Sequence, residues 1–450
     1  MSAPRGEFSS RFGFLMAASG SAVGLGNIWG FPTNTASNGG AAFLFTYIVL
    51  AFAIAYPALM AELIIGRHAK ANAVTALRGL ARGPLTRALG GMVGYAGMIT
   101  VSLILSFYAI VSGWMLAMTM ASLANLLQFD AAADWLATGS VVRDAIFTLG
   151  FMLMTLWVVT AGVSNGIEKW ASRLMPSLFI ILVCLIIYVF TLDGAMEGLR
   201  MYLVPDFSRM LEPGLVVSAM GQAFFSLSLG VGTMLIYGSY INRRENLPAL
   251  GRMVTLLDIS VAVTAGLLIL PAMTVALNLG VPIYDEQGGL IAGPGLIISV
   301  LPALFDQIGL AGILVSLAFF ILMTIASLTS SISMLEVPLA YVVENYNTSR
   351  RRVGTWLTLG ITAISLLIVF NFDTLFDLVV SLTTEYSQPL LGFFFAIFAG
   401  WVWHRNGILQ EIRQGSENVE HTMFWRIWPV YVKFVVPVAI LAIYLQTLLG

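Results

Sequence analysis

Apolar residues fill this chain in long, nearly unbroken stretches, each closed at both ends by a short polar or turn-rich segment. Eleven stretches read as helices: residues 12–37, 41–66, 88–124, 145–161, 166–190, 215–240, 248–279, 310–344, 353–370, 375–403 and 427–448. Roughly 20 apolar residues carry a helix across the hydrocarbon core of a bilayer. In lipid only helices or closed barrels satisfy every backbone polar group, and runs this continuous lack the alternation of barrel strands. The pattern predicts an all-α membrane protein with about eleven transmembrane helices.

Two spans interrupt themselves. Residues 20–32, GSAVGLGNIWGFP, place four glycines and a proline in the first span, and residues 224–232, FFSLSLGVG, mark the sixth with glycines flanked by hydroxyls. Spans one and six are equivalent positions if a unit of five helices is repeated. Matched interruptions in two halves point to a transporter's midplane site. Unwound backbone offers carbonyls to cations and N–H groups to carboxylates, and half-helix N-termini add positive partial charge. The alternative is that the glycines only allow close helix packing.

Composition excludes a water-soluble protein: 58% of the 450 residues are apolar and 10% charged, against about 25% charged in soluble domains. The net charge of −1 suggests no nucleic-acid or acidic partner, yet its distribution is uneven. With the N-terminus inside, of the 22 Lys and Arg only Arg143, Arg200 and Arg209 fall in outside connections. The outside connections instead carry Asp130, Asp134, Asp193, Glu197, Asp206, Glu212, Asp285, Glu286 and Asp306. This bias satisfies the positive-inside rule and leaves the C-terminus outside. The loop 281–309, the longest outside connection, is expected to fold over the mouth of the protein. MSAPRGEFSSR lacks signal-peptide character, so the first helix is expected to stay in the mature chain. Cys184, the single cysteine, is expected to be a buried, inert thiol.

The candidate chemistry consists of oxygen atoms within apolar helices: Ser226 and Ser228, Asp258, and Thr329, Ser330 and Ser331. Hard oxygen ligands suit a small cation. For each hydroxyl the competing reading is a bond back to its own preceding turn, whereas an ionisable group inside a membrane is expensive and points to function. Glu62, near Arg67 in AELIIGR, reads as a local structural ion pair. No zinc spacing or phosphate-cradling loop is present, and His68, His404 and His421 lie in connections where solvent exposure is expected. Nothing supports an enzyme.

GSAVGLGNIWGFP followed by NGGAAF, with GQAFFSLSLGVG and ASLTSS downstream, resembles the neurotransmitter:sodium symporter family, in particular its short bacterial amino-acid transporters. The resemblance runs from about Arg11 to the eleventh helix. It implies a five-plus-five inverted repeat with broken helices 1 and 6. The division is then an N-terminal cytoplasmic segment 1–11, repeats over 12–190 and 215–403, a cytoplasmic loop 404–426 and the eleventh helix 427–448. The implied function is sodium-coupled import of a neutral, hydrophobic or aromatic L-amino acid across the bacterial inner membrane, by alternating access.

By that similarity a first sodium ion would meet Ala22, Asn27, Ser226 and Asp258 together with the substrate carboxylate, and a second would meet Gly20, Val23, Ala326, Thr329 and Ser330. The substrate carboxylate would lie on the N–H groups of Leu25 and Gly26 and the Tyr108 hydroxyl, and its amine on carbonyls of Ala22, Phe225 and Ser226 with Ser228 nearby. Ser21, Ile104, Tyr108, Phe225, Val231, Ser330 and Met334 would line the side-chain pocket. Monoamine carriers of the family place an aspartate where this chain has Gly24, so glycine implies a substrate carrying its own carboxylate. Asp258 would replace chloride, leaving the matching Tyr47 and Gln222 without a clear anion role. Arg5, Ser239, Tyr240 and Glu344 would form the inner gate. The chain departs from the family at the outer gate, with Gly30 and Val380 where a charged pair is usual. Rival readings are a non-transporting amino-acid receptor, a channel and a proton-coupled permease of related fold.

Overall fold

The structure, a computed structural model, describes residues 6–204, 210, 212–284, 291 and 295–449. Eight helices among them are long and apolar enough to cross a membrane, and the pair Arg11–Ala22 and Gly26–Ser37, bent by 58°, makes a ninth crossing. Two further passes complete the set. One is broken, Pro213–Ser226 and Thr233–Ser239; the other runs from Phe372 to Val402 through two widened turns. The eleven expected spans are therefore present. They are span one (the bent pair), two (Ala41–Ala69), three (Pro84–Leu126), four (Val141–Thr160), five (Val163–Val189), six (the broken pass), seven (Leu247–Asn278), eight (Leu310–Tyr346), nine (Arg350–Phe370), ten and eleven (Met423–Gln446).

Local chemistry sets several helix starts. The Ser10 hydroxyl accepts the Gly13 N–H at 2.9 Å where span one begins, and Pro84 and Pro213 occupy first-turn positions whose N–H would have no helical partner. Spans three and eight pack face to face through hydroxyl pairs, Thr119 with Thr324 at 3.2 Å and Tyr95 with Tyr341 at 2.6 Å. Polar contacts of this kind join helices where lipid supplies no hydrophobic contrast between them. In the loop 281–309, the short helices Leu296–Val300 and Leu301–Gln307 bury Leu296, Ile297, Val300, Leu301 and Leu304. Residues 285–290 and 292–294 lie outside the described set.

Two expectations are corrected. Cys184 is exposed on the outer side of span five, because its helix buries the opposite stripe of Leu178, Leu182 and Leu185. Glu62 does not pair with Arg67. Its Oε1 accepts the Gly230 N–H at 2.7 Å instead, because it points across to broken span six, whereas Arg67 lies more than a turn further along and points toward the N-terminal face.

There the buried Arg67 guanidinium donates to Glu411 Oε1 at 2.8 Å, to the Glu411 carbonyl, and to the Glu245 carbonyl at 2.7 Å. His68 is not simply solvated: its Nδ1 lies 3.3 Å from Glu411 Oε2 and its ring packs on Trp403. This buried charge pins the connections after spans six and ten to the end of span two. Burial pushes the Glu411 carboxyl up, but the His68 contact and the Arg67 charge and hydrogen bond outweigh it and hold it below its ordinary value. Such a carboxylate stabilises the fold above its unfolded-state pKa, and the contribution fades as pH falls through the lower folded-state value. Glu411→Ala, which strands the buried Arg67, is expected to cost about 3–5 kcal/mol, read as a lower unfolding temperature in detergent at pH 7. The gap to wild type is expected to narrow on acidification below about pH 4; an unchanged unfolding temperature would refute the clamp.

Candidate functional site

The two breaks face each other. After Ala22 the helical path of span one stops and resumes at Gly26, and in span six residues 227–232 leave the helix, with Ser228, Gly230 and Gly232 at φ 52°, 84° and 81°. At Gly230 the conformation is enforced twice, since a Cβ there would also lie 2.3 Å from the Gln388 carbonyl oxygen.

Side chains of spans two, six and ten meet the released backbone. The Gln222 amide donates to the Gly26 carbonyl at 2.8 Å, Gln388 Nε2 to the Leu229 carbonyl at 2.9 Å, and the Ser228 hydroxyl to the Ser21 carbonyl at 2.9 Å. Glu62 takes the Gly230 N–H. Glu62 and Gln388 thus act as braces that local sequence did not reveal. The signal available was the cost of an acid in an apolar span.

All twelve residues expected to contact substrate line one cavity: Ser21, Ala22, Leu25, Gly26, Ile104, Tyr108, Phe225, Ser226, Ser228, Val231, Ser330 and Met334. Gly24, Val101, Thr233 and Gln388 complete the lining, which encloses about 420 Å³ with the opening included. No lining residue carries a charge. The Leu25 N–H points at the Tyr108 hydroxyl oxygen, 3.3 Å away, so an N–H and a phenol converge on one end of the space. The Ser228 hydroxyl is already engaged by Ser21.

Beside the cavity, Asp258 is fully buried and its carboxylate gathers the expected first-site side chains. Asn27 Nδ2 donates to Asp258 Oδ1 at 2.7 Å, the Ser226 hydroxyl lies 2.9 Å from both Asp258 oxygens, and the Tyr47 hydroxyl lies 3.3 Å from Oδ2. Ala22 lines the cavity wall, as Ser226 does. Gln222 is turned away toward Gly26 and Asn34. At the other end of the break, the Ser330 hydroxyl lies 3.3, 3.3 and 3.2 Å from the carbonyls of Gly20, Ser21 and Val23. Thr329 bonds the Ala326 carbonyl of its own helix at 3.0 Å. A Cβ on Gly20 would touch Thr329 at 3.0 Å, so the five expected second-site residues are brought together across spans one and eight.

The two faces of the protein are sealed differently. Toward the far face, Leu25, Gly26, Tyr108 and Phe225 line both the cavity and a wide vestibule, which Trp29, Asp377, Val380 and Glu385 also border. The vestibule therefore keeps acidic side chains despite Val380. Toward the N-terminal face the seal is thick. Phe8 packs edge-on against Phe14, Tyr237 and Tyr240, and Glu168 accepts the Ser9 N–H and hydroxyl, each at 2.7 Å. Tyr240 donates to Glu336 Oε1 at 2.6 Å, and Arg350 grips both oxygens of that buried carboxylate. Glu344 accepts the N–H and side-chain amide of Asn72 at 2.9 and 2.8 Å. Ser239 bonds back to Ile236. Arg5 lies outside the described residues. The Glu336–Arg350 pair is absent from the expected gate, although an acid inside SISMLEVPLAY was a visible anomaly.

The profile of the Sodium:neurotransmitter symporter family matches residues 5–146 and 137–449. The chain is 32% identical to the uncharacterized sodium-dependent transporter YhdH of Bacillus subtilis, over 98% of this chain and 97% of that one. It is 31% identical to an uncharacterized sodium-dependent transporter of Haemophilus influenzae, over 99% and 98%. Among solved structures, that of MhsT in complex with L-phenylalanine superposes with a TM-score of 0.84 at 35% identity, covering 99% of this chain and 100% of that one.

Packing makes Gly24 a sharp test of the cavity: a Cβ there would lie 2.7 Å from Ser330 Oγ and 2.8 Å from the Tyr108 hydroxyl. Gly24→Ala is expected to destabilise the protein by about 1–3 kcal/mol through overpacking, measured by thermal unfolding in detergent. An unchanged curve would mean that Tyr108 and Ser330 can withdraw at no cost.

Proposed function

Because the chain belongs to the sodium:neurotransmitter symporter family, and is accordingly a multi-pass membrane transporter rather than an enzyme, we propose that it imports a neutral, hydrophobic or aromatic L-amino acid together with sodium. The observation that carries this reading is the uncharged cavity between two broken helices, with Asp258 buried beside it. A zwitterion suits such a cavity. Its carboxylate meets the Leu25 and Gly26 N–H groups and Tyr108, its ammonium meets carbonyls of Ala22, Phe225 and Ser226, and its side chain faces Ile104, Val231 and Met334. The related protein crystallised with L-phenylalanine supports the apolar side chain.

One sodium ion joins the substrate carboxylate to Ala22, Asn27, Ser226 and Asp258. Shared ligation makes each raise the other's affinity by the same factor. A second ion, held by Gly20, Val23, Ala326, Thr329 and Ser330, ties span one to span eight. Asp258 supplies the fixed negative charge that would otherwise call for chloride. The N-terminus is cytoplasmic and the C-terminus external, with 12–190 and 215–403 as the two repeats that alternate access.

Uptake of a panel of labelled amino acids into proteoliposomes, driven by a sodium gradient with a potassium control, tests the reading. Wild type is expected to accumulate apolar L-amino acids equally well in chloride and gluconate, and Asp258→Ala to lose at least about tenfold, the loss expected from stripping a charged ligand. Binding without accumulation favours a receptor, and a chloride requirement removes the assigned role of Asp258.

The inner gate comprises Arg5, Ser239, Tyr240 and Glu344, reinforced by Glu336 and Arg350. Its contacts exist only while the N-terminal face is shut, so weakening them shifts the population toward opening there. Glu336→Gln is expected to raise the labelling rate of a cysteine placed at Ala22 by a reagent applied from the N-terminal face; an unchanged rate would remove this pair from the gate.

A further inference from the structure

A second polar recess lies on the N-terminal face, away from the central cavity, between spans ten and eleven and the connection before span three. Its wall includes Arg82, Trp401, Trp403, His404, Arg405 and Lys433, and no Asp or Glu is among its described lining residues. About 980 Å³ is empty, with the opening included.

Lys433 is the unusual member. It lies in the N-terminal half of the helical span Met423–Gln446, an apolar run in which a basic side chain stands out. Among the described residues neither it nor Arg82 nor Arg405 forms an ion pair. The ammonium rests 4.4 Å from the ring centre of Trp401 and 5.4 Å from that of Phe434, while Trp401 Nε1 donates to the Lys433 carbonyl at 2.8 Å. The position is built rather than incidental. Widened turns Phe398–Val402 and Tyr431–Val435 face each other, and a Cβ on Gly400 would come within 2.7 Å of Lys433 Cα.

We propose that this recess binds the phosphate headgroup of an anionic phospholipid. Positive charge without acidic neighbours calls for an anion, and basic recesses between spans near one membrane surface suit acidic lipid headgroups. Tryptophans belong at the same interfacial depth. A lipid is favoured over a soluble phosphate because the recess continues into an exposed apolar strip: Trp401, Ile427, Val430, Phe434 and Val438 are all more than a third accessible. The acyl chains lie along that strip while the phosphate reaches Lys433, Arg405 and Arg82. The headgroup then staples spans ten and eleven to the base of span three.

The test is native mass spectrometry of the full chain in detergent, titrated with phosphatidylglycerol or phosphatidylcholine, with and without inorganic phosphate. Wild type is expected to retain phosphatidylglycerol preferentially. Lys433→Gln and Arg405→Gln are each expected to cut that preference about fivefold, as loss of one basic residue at an anionic surface implies, and Lys433→Arg to keep it. Should Lys433→Gln unfold, the exposed Arg405→Gln carries the comparison. Equal retention of both lipids by wild type, or full preference in the correctly folded variants, overturns the proposal. So does displacement of the lipid by inorganic phosphate, which would identify a soluble-anion site.

Discussion

Backbone released by a broken helix inside a membrane has no water to turn to, and the rest of this structure answers to that constraint. Each unpaired group at the midplane costs several kcal/mol unless protein supplies a partner. The partners come from distant parts of the chain: Glu62 on span two for Gly230, Gln388 on span ten for Leu229, Gln222 for Gly26, and Ser330 on span eight for the carbonyls of Gly20, Ser21 and Val23. The bundle must surround the breaks before the breaks are tolerable. That is why the polar centre and the assembled core are the same place.

Charge follows the same logic. The cavity wall is neutral, and Asp258, bonded to its Ser226, is occupied by Asn27, Ser226 and Tyr47. Two other buried carboxylates hold structural contacts. Glu62 braces span six, and Glu336 is held by Arg350 and Tyr240. These contacts are asymmetric across the membrane. On one side Tyr108 and Phe225 alone stand on the boundary between cavity and vestibule, together with the backbone turn at Leu25 and Gly26. On the other, Phe8, Glu168 and the Glu336 cluster fill several layers. The conformation is shut toward the N-terminal face and thinly closed toward the far one.

The absence of charges at Gly30 and Val380 takes on a different meaning in this setting. Gly30 sits beside Gln222, with room for a Cβ at 3.5 Å, and Asp377 lies one turn before Val380 in the vestibule wall. The passage toward the far face is acidic and aromatic, with no Lys or Arg among its described lining residues.

Much of this was legible along the chain. Continuous hydrophobicity sets each span to within a few residues, because the bilayer imposes one length and one kind of secondary structure. Glycine clusters exposed the two breaks, and the family resemblance pointed to twelve of the sixteen residues that surround the cavity. What the chain did not disclose was which buried charge meets which. Arg67 looked like the partner of Glu62 five residues away, yet it reaches Glu411, 344 positions distant. Glu336 and Arg350 pair across a connection, and Cys184 faces outward because its helix buries the other stripe. Hydropathy is a property of each segment in its solvent and so belongs to the sequence. Pairing of buried polar groups depends on the rotation and depth of one helix against another, which only the packed tertiary structure decides.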